Sequence, residues 1–104
     1  MLPTNDDWSF VCCLSSINVL HYDKWKDTDA VETMIYFLDA VISEFIEKLD
    51  EYKNSSDLDD QQTFMFMERA YKFASEHRAL GLGVLGWHSL LQSKMVAFNS
   101  QEAY

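Results

Sequence analysis

Ser9-Phe10-Val11-Cys12-Cys13-Leu14-Ser15-Ser16-Ile17-Asn18 is rich in residues that favour an extended chain, and it holds both cysteines of the sequence. A short strand over about 9–17 is the first reading and a helical turn the second. In an extended chain successive side chains point to opposite faces, so Phe10, Cys12 and Leu14 share one side while Val11, Cys13 and Ser15 share the other. The two thiols are therefore expected to meet different surroundings. A disulfide between neighbours would close a strained ring, because the two sulfurs leave the strand on diverging vectors.

Downstream of this run, Asp29-Ala30-Val31-Glu32 has the spacing of a capping box, in which the first acid accepts from the opening amides and the glutamate reaches back. From there Val31, Met34, Ile35, Leu38, Val41, Ile42, Phe45, Ile46, Leu49 and Tyr52 keep helical spacing, which predicts a helix over about 29–53. Tyr36 and Phe37 widen its apolar stripe, so coverage on more than one side is expected. Lys53 to Gln62 is polar, acidic and without apolar period, and it reads as a surface connection. A second helix, over about 61–77, carries Phe64, Met67, Ala70, Tyr71 and Ala74 on one face, flanked by Phe66 and Phe73.

Ala79-Leu80-Gly81-Leu82-Gly83-Val84-Leu85-Gly86 then alternates glycine with aliphatic residues, the pattern of a buried strand, over about 80–85, whose glycine face allows close backbone approach. A third helix is expected over about 87–95. The N-terminal residues, with Pro3 and Thr4-Asn5-Asp6-Asp7, read as a loop. The fold class is thus mainly α with two short β segments.

Composition narrows the function. At 104 residues the chain has room for one modest core, and its 48% aliphatic and aromatic content is that of a globular protein. Seventeen acidic against eight basic side chains give a formal charge of −9, which repels phosphate backbones and anionic lipid surfaces. Nucleic acid and membranes are not expected partners, and no apolar run reaches the roughly 18 residues of a membrane-spanning helix. Two cysteines are too few for a disulfide scaffold, and the chain starts without a leader pattern; a cytoplasmic location is expected.

The remaining motifs have ordinary explanations. Gly81, Gly83 and Gly86 spell a dinucleotide fingerprint, but the glycines fall within the candidate strand rather than opening a helix, so close packing is the better reading. His21, His77 and His88 lie on different elements, and no Glu-x-x-His pair suggests a metal. Asp39, Glu44, Glu47, Asp50 and Glu51 mostly form the solvated face of the long helix.

Phe10-Val11-Cys12-Cys13-Leu14-Ser15-Ser16-Ile17-Asn18, the long helix, and Arg78-Ala79-Leu80-Gly81-Leu82-Gly83-Val84-Leu85-Gly86-Trp87-His88 together resemble the large (alpha) subunit of ribonucleotide reductase, most like class I, over essentially the whole chain. The resemblance implies a fragment of a ten-stranded α/β barrel, helix-rich in isolation, from an enzyme that makes deoxyribonucleotides for DNA replication. In that family a cysteine thiyl radical abstracts the ribose 3′ hydrogen, and two further cysteines supply electrons and end as a disulfide.

The Cys-x-Leu-Ser-x-x-Asn pattern puts Cys12 at the position of one of those reductants, its partner lying outside this chain, while Cys13 stands where the family often has Asn or Thr. The motif Asn-x-Cys-x-Glu, which holds the radical cysteine, would be expected just before Leu2. No cofactor is expected in this chain; the complete enzyme would take its radical from a metal-bearing beta subunit and electrons from an external dithiol. The expected partners are the remaining alpha-chain segments and the beta subunit. In isolation the chain should be inactive and should self-associate through orphaned apolar faces.

Two competitors remain at this point. One is a non-enzymatic, acidic helical interaction module. The other is a free-standing thiol oxidoreductase, which would need a Cys-x-x-Cys pair or a basic activator that the sequence does not offer.

Overall fold

A computed structural model describes residues 4–104; the loop reading for Met1, Leu2 and Pro3 lies outside the described residues. Two parallel strands, β1 (Cys13–Asn18) and β2 (Leu80–Leu85), pair in register from Cys13 opposite Leu80 to Asn18 opposite Leu85. Between them run a 3-10 turn (Val19–His21), α1 (Tyr22–Trp25), α2 (Ala30–Lys53) and α3 (Leu58–His77); α4 (Trp87–Ser93) and a second 3-10 turn (Gln101–Ala103) follow. The chain is therefore mostly helical with a two-stranded parallel sheet.

β1 begins at Cys13, later than the expected start near Ser9. The reason is the hydrogen-bond ladder: the Ser9 amide donates to the Arg69 carbonyl of α3, and only at Cys13, which donates to Ala79 O at 3.3 Å, does the chain reach its strand partner. The Asp29–Glu32 capping box does not form. Asp29 sits at φ −86°, ψ 22° rather than in the extended conformation that a side-chain cap requires, because the chain arrives through the helical turn of α1. Thr28 Oγ1 accepts from the Ala30 amide at 3.3 Å instead.

α3 starts at Leu58, inside the segment read as a connection. Asp57 is extended, and its carboxylate accepts from the Asp59 amide at 2.7 Å; Ser55 Oγ donates to Asp60 at 2.7 Å, and Gln61 Nε2 to Ser55 O at 2.9 Å. Capping thus begins this helix where apolar periodicity is silent. At its other end Arg78 takes a left-handed conformation, φ 45°, and its amide donates to Ala74 O. Its guanidinium reaches across to α2, donating to Asp39 Oδ1 at 2.8 Å and Ser43 Oγ at 2.6 Å. These bonds offset the cost of about 1–2 kcal/mol for a side-chain-bearing residue in that conformation and aim the chain into β2.

The core lies where α2, packed on both strands, meets α3, with Leu38, Ile42 and Leu49 buried alongside Phe73 and Ala74; Leu91 of α4 is buried separately, where α4 packs on the first 3-10 turn. Phe73, expected only to flank the apolar face of α3, is 0% exposed and forms its centre, whereas Phe66 is 79% exposed. Farther along the hairpin, Tyr71 OH donates to the Asp50 carboxylate, and the Lys53 ammonium lies 5.7 Å from the Tyr71 ring and 6.0 Å from that of Phe64. Tyr36 and Phe37 are 66% and 58% exposed, so the wide stripe of α2 is not covered on its second side by the described residues. β2 is likewise half-exposed rather than buried, and α4 stops at Ser93 as Met95 turns left-handed at φ 57°.

Replacing Phe73 by Ala empties the centre of the α2–α3 contact. Urea unfolding should give a loss of about 3–5 kcal/mol for Phe73→Ala, if the chain still folds, and a change within about 0.5 kcal/mol for Phe66→Ala.

Candidate functional site

Cys12 and Cys13 are both free thiols and both half-buried. The peptide between them marks the start of β1, so Cys13 belongs to the ladder while Cys12 lies one residue outside it. A Cβ built on Gly81 would stand 2.6 Å from Leu14 Cδ2 and 3.7 Å from Cys12 Sγ, so both side chains lie over the bare backbone of Gly81 and share a face of the sheet. Gly83 continues that face opposite Ser16, whose Oγ would be 3.8 Å from a Cβ there. The face is open: Leu14 is 74% exposed, and Ser16 and Gly83 are exposed beside it.

Cys13 meets other conditions. Burial, and secondarily the neighbouring Cys12, push its thiol above the ordinary value, so it ionises less readily than a free cysteine. Cys12 Sγ lies 3.7 Å from the Cys13 carbonyl oxygen, a long contact to which the thiol can donate. Of the pair, Cys12 is the thiol that lies beside a glycine, on the face that carries the exposed Leu14.

The far end of the sheet is fixed by Asn18. Its Oδ1 accepts from the Leu20 amide at 3.0 Å and its carbonyl from Trp25 Nε1 at 3.0 Å. Gly86, at φ 82°, leaves that side chain its space, since a Cβ there would come within 2.3 Å of Asn18 Oδ1. Glycine is needed here on both counts. Gly81 and Gly83 lie inside β2 and so cannot form a phosphate-binding turn.

The three histidines stay apart. His77 packs between Trp8, at 4.9 Å, and Phe73, at 4.6 Å; His88 meets Phe98 at 6.3 Å; and His21 ends the first 3-10 turn. Among the described residues no three His, Cys, Asp or Glu side chains converge to hold a metal ion, and no helix is long and apolar enough to cross a membrane. Sequence reasoning missed an apolar hollow of about 400 Å³ between the α1 region and α4, lined by Val19, Tyr22, Trp25, Trp87 and Leu90. The wall from Val19 to Trp25 has no apolar period to announce it. It also missed Arg69, which reaches back to the segment before Cys12.

The family model for the ribonucleotide reductase barrel domain matches residues 1–104. The chain is 38% identical over 104 residues to the ribonucleoside-diphosphate reductase large subunit of Invertebrate iridescent virus 6, covering 99% of this chain and 9% of that protein. It is 35% identical over 105 residues to the protein of the same name in Invertebrate iridescent virus 3, covering all of this chain and 14% of the relative. Among solved structures, the Actinobacillus ureae class Id ribonucleotide reductase alpha subunit superposes with a TM-score of 0.78 at 54% identity, over 99% of this chain and 18% of that one. The chain thus spans less than a fifth of the length of each of these relatives.

The raised thiol of Cys13 has a measurable sign. In a Cys12→Ser chain, alkylation of Cys13 should follow a pH profile whose midpoint lies higher in the folded protein than in urea, since burial, the larger cause, is lost on unfolding. Coincident midpoints would contradict the assignment.

Proposed function

The chain belongs to the ribonucleotide reductase family, as a stretch of its barrel domain, and on that premise we propose that Cys12 is one of two reducing thiols in a large-subunit active site. The observation that carries this reading is the open sheet face on which Cys12 stands beside Gly81, at the cysteine position of Cys12-x-Leu14-Ser15-x-x-Asn18. Removing a ribose hydroxyl as water consumes two electrons and two protons. Two thiols that join as a disulfide release the same number, so Cys12 and a second cysteine outside this chain balance one turnover. An external dithiol then resets the pair by exchange.

The roles of the other residues follow from their positions. Gly81 lets Leu14 and Cys12 lie over bare backbone, Asn18 and Gly86 hold the register of the strand that follows Cys12, and α2, packed on α3, supports the sheet. Cys13, partly buried and held in the ladder by its amide, is a packing residue in this scheme. In this reading the radical comes from a separate metal-bearing beta subunit, and no step is assigned to a metal here. A reducing compartment such as the cytoplasm suits two free thiols.

Tyr36, Phe37, Phe66, Val84 and the free edges of β1 and β2 are surfaces for the rest of an alpha chain. Left uncovered, they favour self-association of the isolated chain, which would be inactive by itself. No observation favours the alternative of an acidic interaction module.

The test is reconstitution with the remaining alpha-chain segments, the beta subunit and a dithiol reductant. Reduction of ribonucleoside diphosphates should fall to background with Cys12→Ser and persist with Cys13→Ser. Retention of dithiol-dependent turnover in Cys12→Ser would refute the reading.

A further inference from the structure

Cys12 lies between two anchors that both belong to the continuous run from α3 into β2. Behind it, Asn5 closes a tight turn: its side-chain oxygen accepts from the amides of Asp7 and Trp8, each at 2.8 Å, and its own amide donates to Trp8 O at 2.9 Å. Arg69 grips that turn from α3, with Nη2 donating to the Asn5 carbonyl and, at 3.2 Å, to the Trp8 carbonyl. The Arg69 backbone takes part as well, its carbonyl accepting from the Ser9 amide at 3.3 Å. Two turns farther along the same helix, His77 meets the Trp8 ring at 4.9 Å and rests on Phe73, the buried centre of the core.

Ahead of it, Cys13 N donates to Ala79 O and the ladder begins. Only Phe10, Val11 and Cys12 lie between the anchored Ser9 and Cys13, a span of about 13 Å when extended. From these contacts we propose that Arg69 is a positioning residue for the Cys12 thiol. The inference rests on the reading of Cys12 as a redox thiol for its purpose, though not for its geometry.

A sulfur–sulfur bond forms only when the two Cα atoms come within about 4.4–6.8 Å and the Cβ vectors converge. With one end released, Cys12 becomes the root of a loose tail pivoting on Cys13, and its sulfur samples many positions that meet no partner. Both Arg69 side-chain bonds leave one nitrogen, Nη2, whose two hydrogens are fixed in the rigid guanidinium plane, whereas lysine offers a point charge on a flexible stem. Cys13, pinned by the ladder, serves as an internal control for any change confined to its neighbour.

The experiment compares wild type, Arg69→Lys and Arg69→Gln in the 104-residue chain. Iodoacetamide labelling is read by fragment ions that separate positions 12 and 13, together with amide hydrogen exchange along the chain. Arg69→Gln should raise the labelling rate of Cys12 relative to Cys13 several-fold and speed exchange at Ser9, leaving the β1 amides unchanged; Arg69→Lys should fall in between. An unchanged Cys12 to Cys13 ratio in both variants overturns the proposal. So does a parallel rise at both thiols, which would mean that Arg69 supports the whole fold. In the reconstituted enzyme, Arg69→Gln should lower kcat with KM for the nucleoside diphosphate unaltered. The labelling ratio stands whether or not Cys12 proves to be redox-active, so the failure of one reading can be told from the failure of the other.

Discussion

Two parallel strands cannot be joined by a tight turn, because the chain must travel back along the full length of the sheet before the second strand can begin. In this protein the return path is the α2–α3 hairpin, and nearly everything else depends on how that hairpin is packed and ended. Ile42 and Phe73, both fully buried, hold the two helices together beneath the sheet. Arg78 ends α3 in a left-handed turn while its side chain grips Asp39 and Ser43 on α2. The start of β2 is therefore set by a helix end tied to its neighbour, and the pairing of Cys13 with Leu80 follows.

The features that were legible in the sequence are those whose physics is local or strongly periodic. The apolar positions of α2 announce a long helix, and the Gly81–Val84 alternation marks a strand that another chain segment can approach closely. What periodicity could not convey are beginnings and ends. α3 starts three residues before its expected position because Asp57 and Ser55 cap it, β1 starts later because Ser9 is diverted to α3, and Asp29 fails as a cap because α1 delivers it in a helical conformation. The turn from Val19 to Trp25 was not legible at all, being held by the Asn18 side chain and by the Trp25 indole bond to Asn18 rather than by a pattern.

At the candidate site, the alternation of an extended chain separates the two thiols, while the bare Gly81 backbone beside Cys12 needed coordinates to be seen. Arg69 was invisible for a different reason. Its partners, Asn5 and Trp8, lie more than sixty positions away in sequence, and a hydrogen bond to a backbone carbonyl leaves no mark on the residue type of the acceptor. The same holds for Phe73, whose place at the centre depends on the crossing of two helices rather than on the stripe of either.

The Asn18–Gly86 contact has a chemical consequence at the opposite end of the strand. Because Cys12 and Cys13 are adjacent, a slip of β1 by a single residue would turn Cys13 onto the open face and carry Cys12 away from it, exchanging one sulfur for the other without altering the composition of the strand. A side-chain amide seated where only glycine leaves room, about six residues from either thiol, acts as a frame marker. It decides which of two identical functional groups the protein offers to its surroundings.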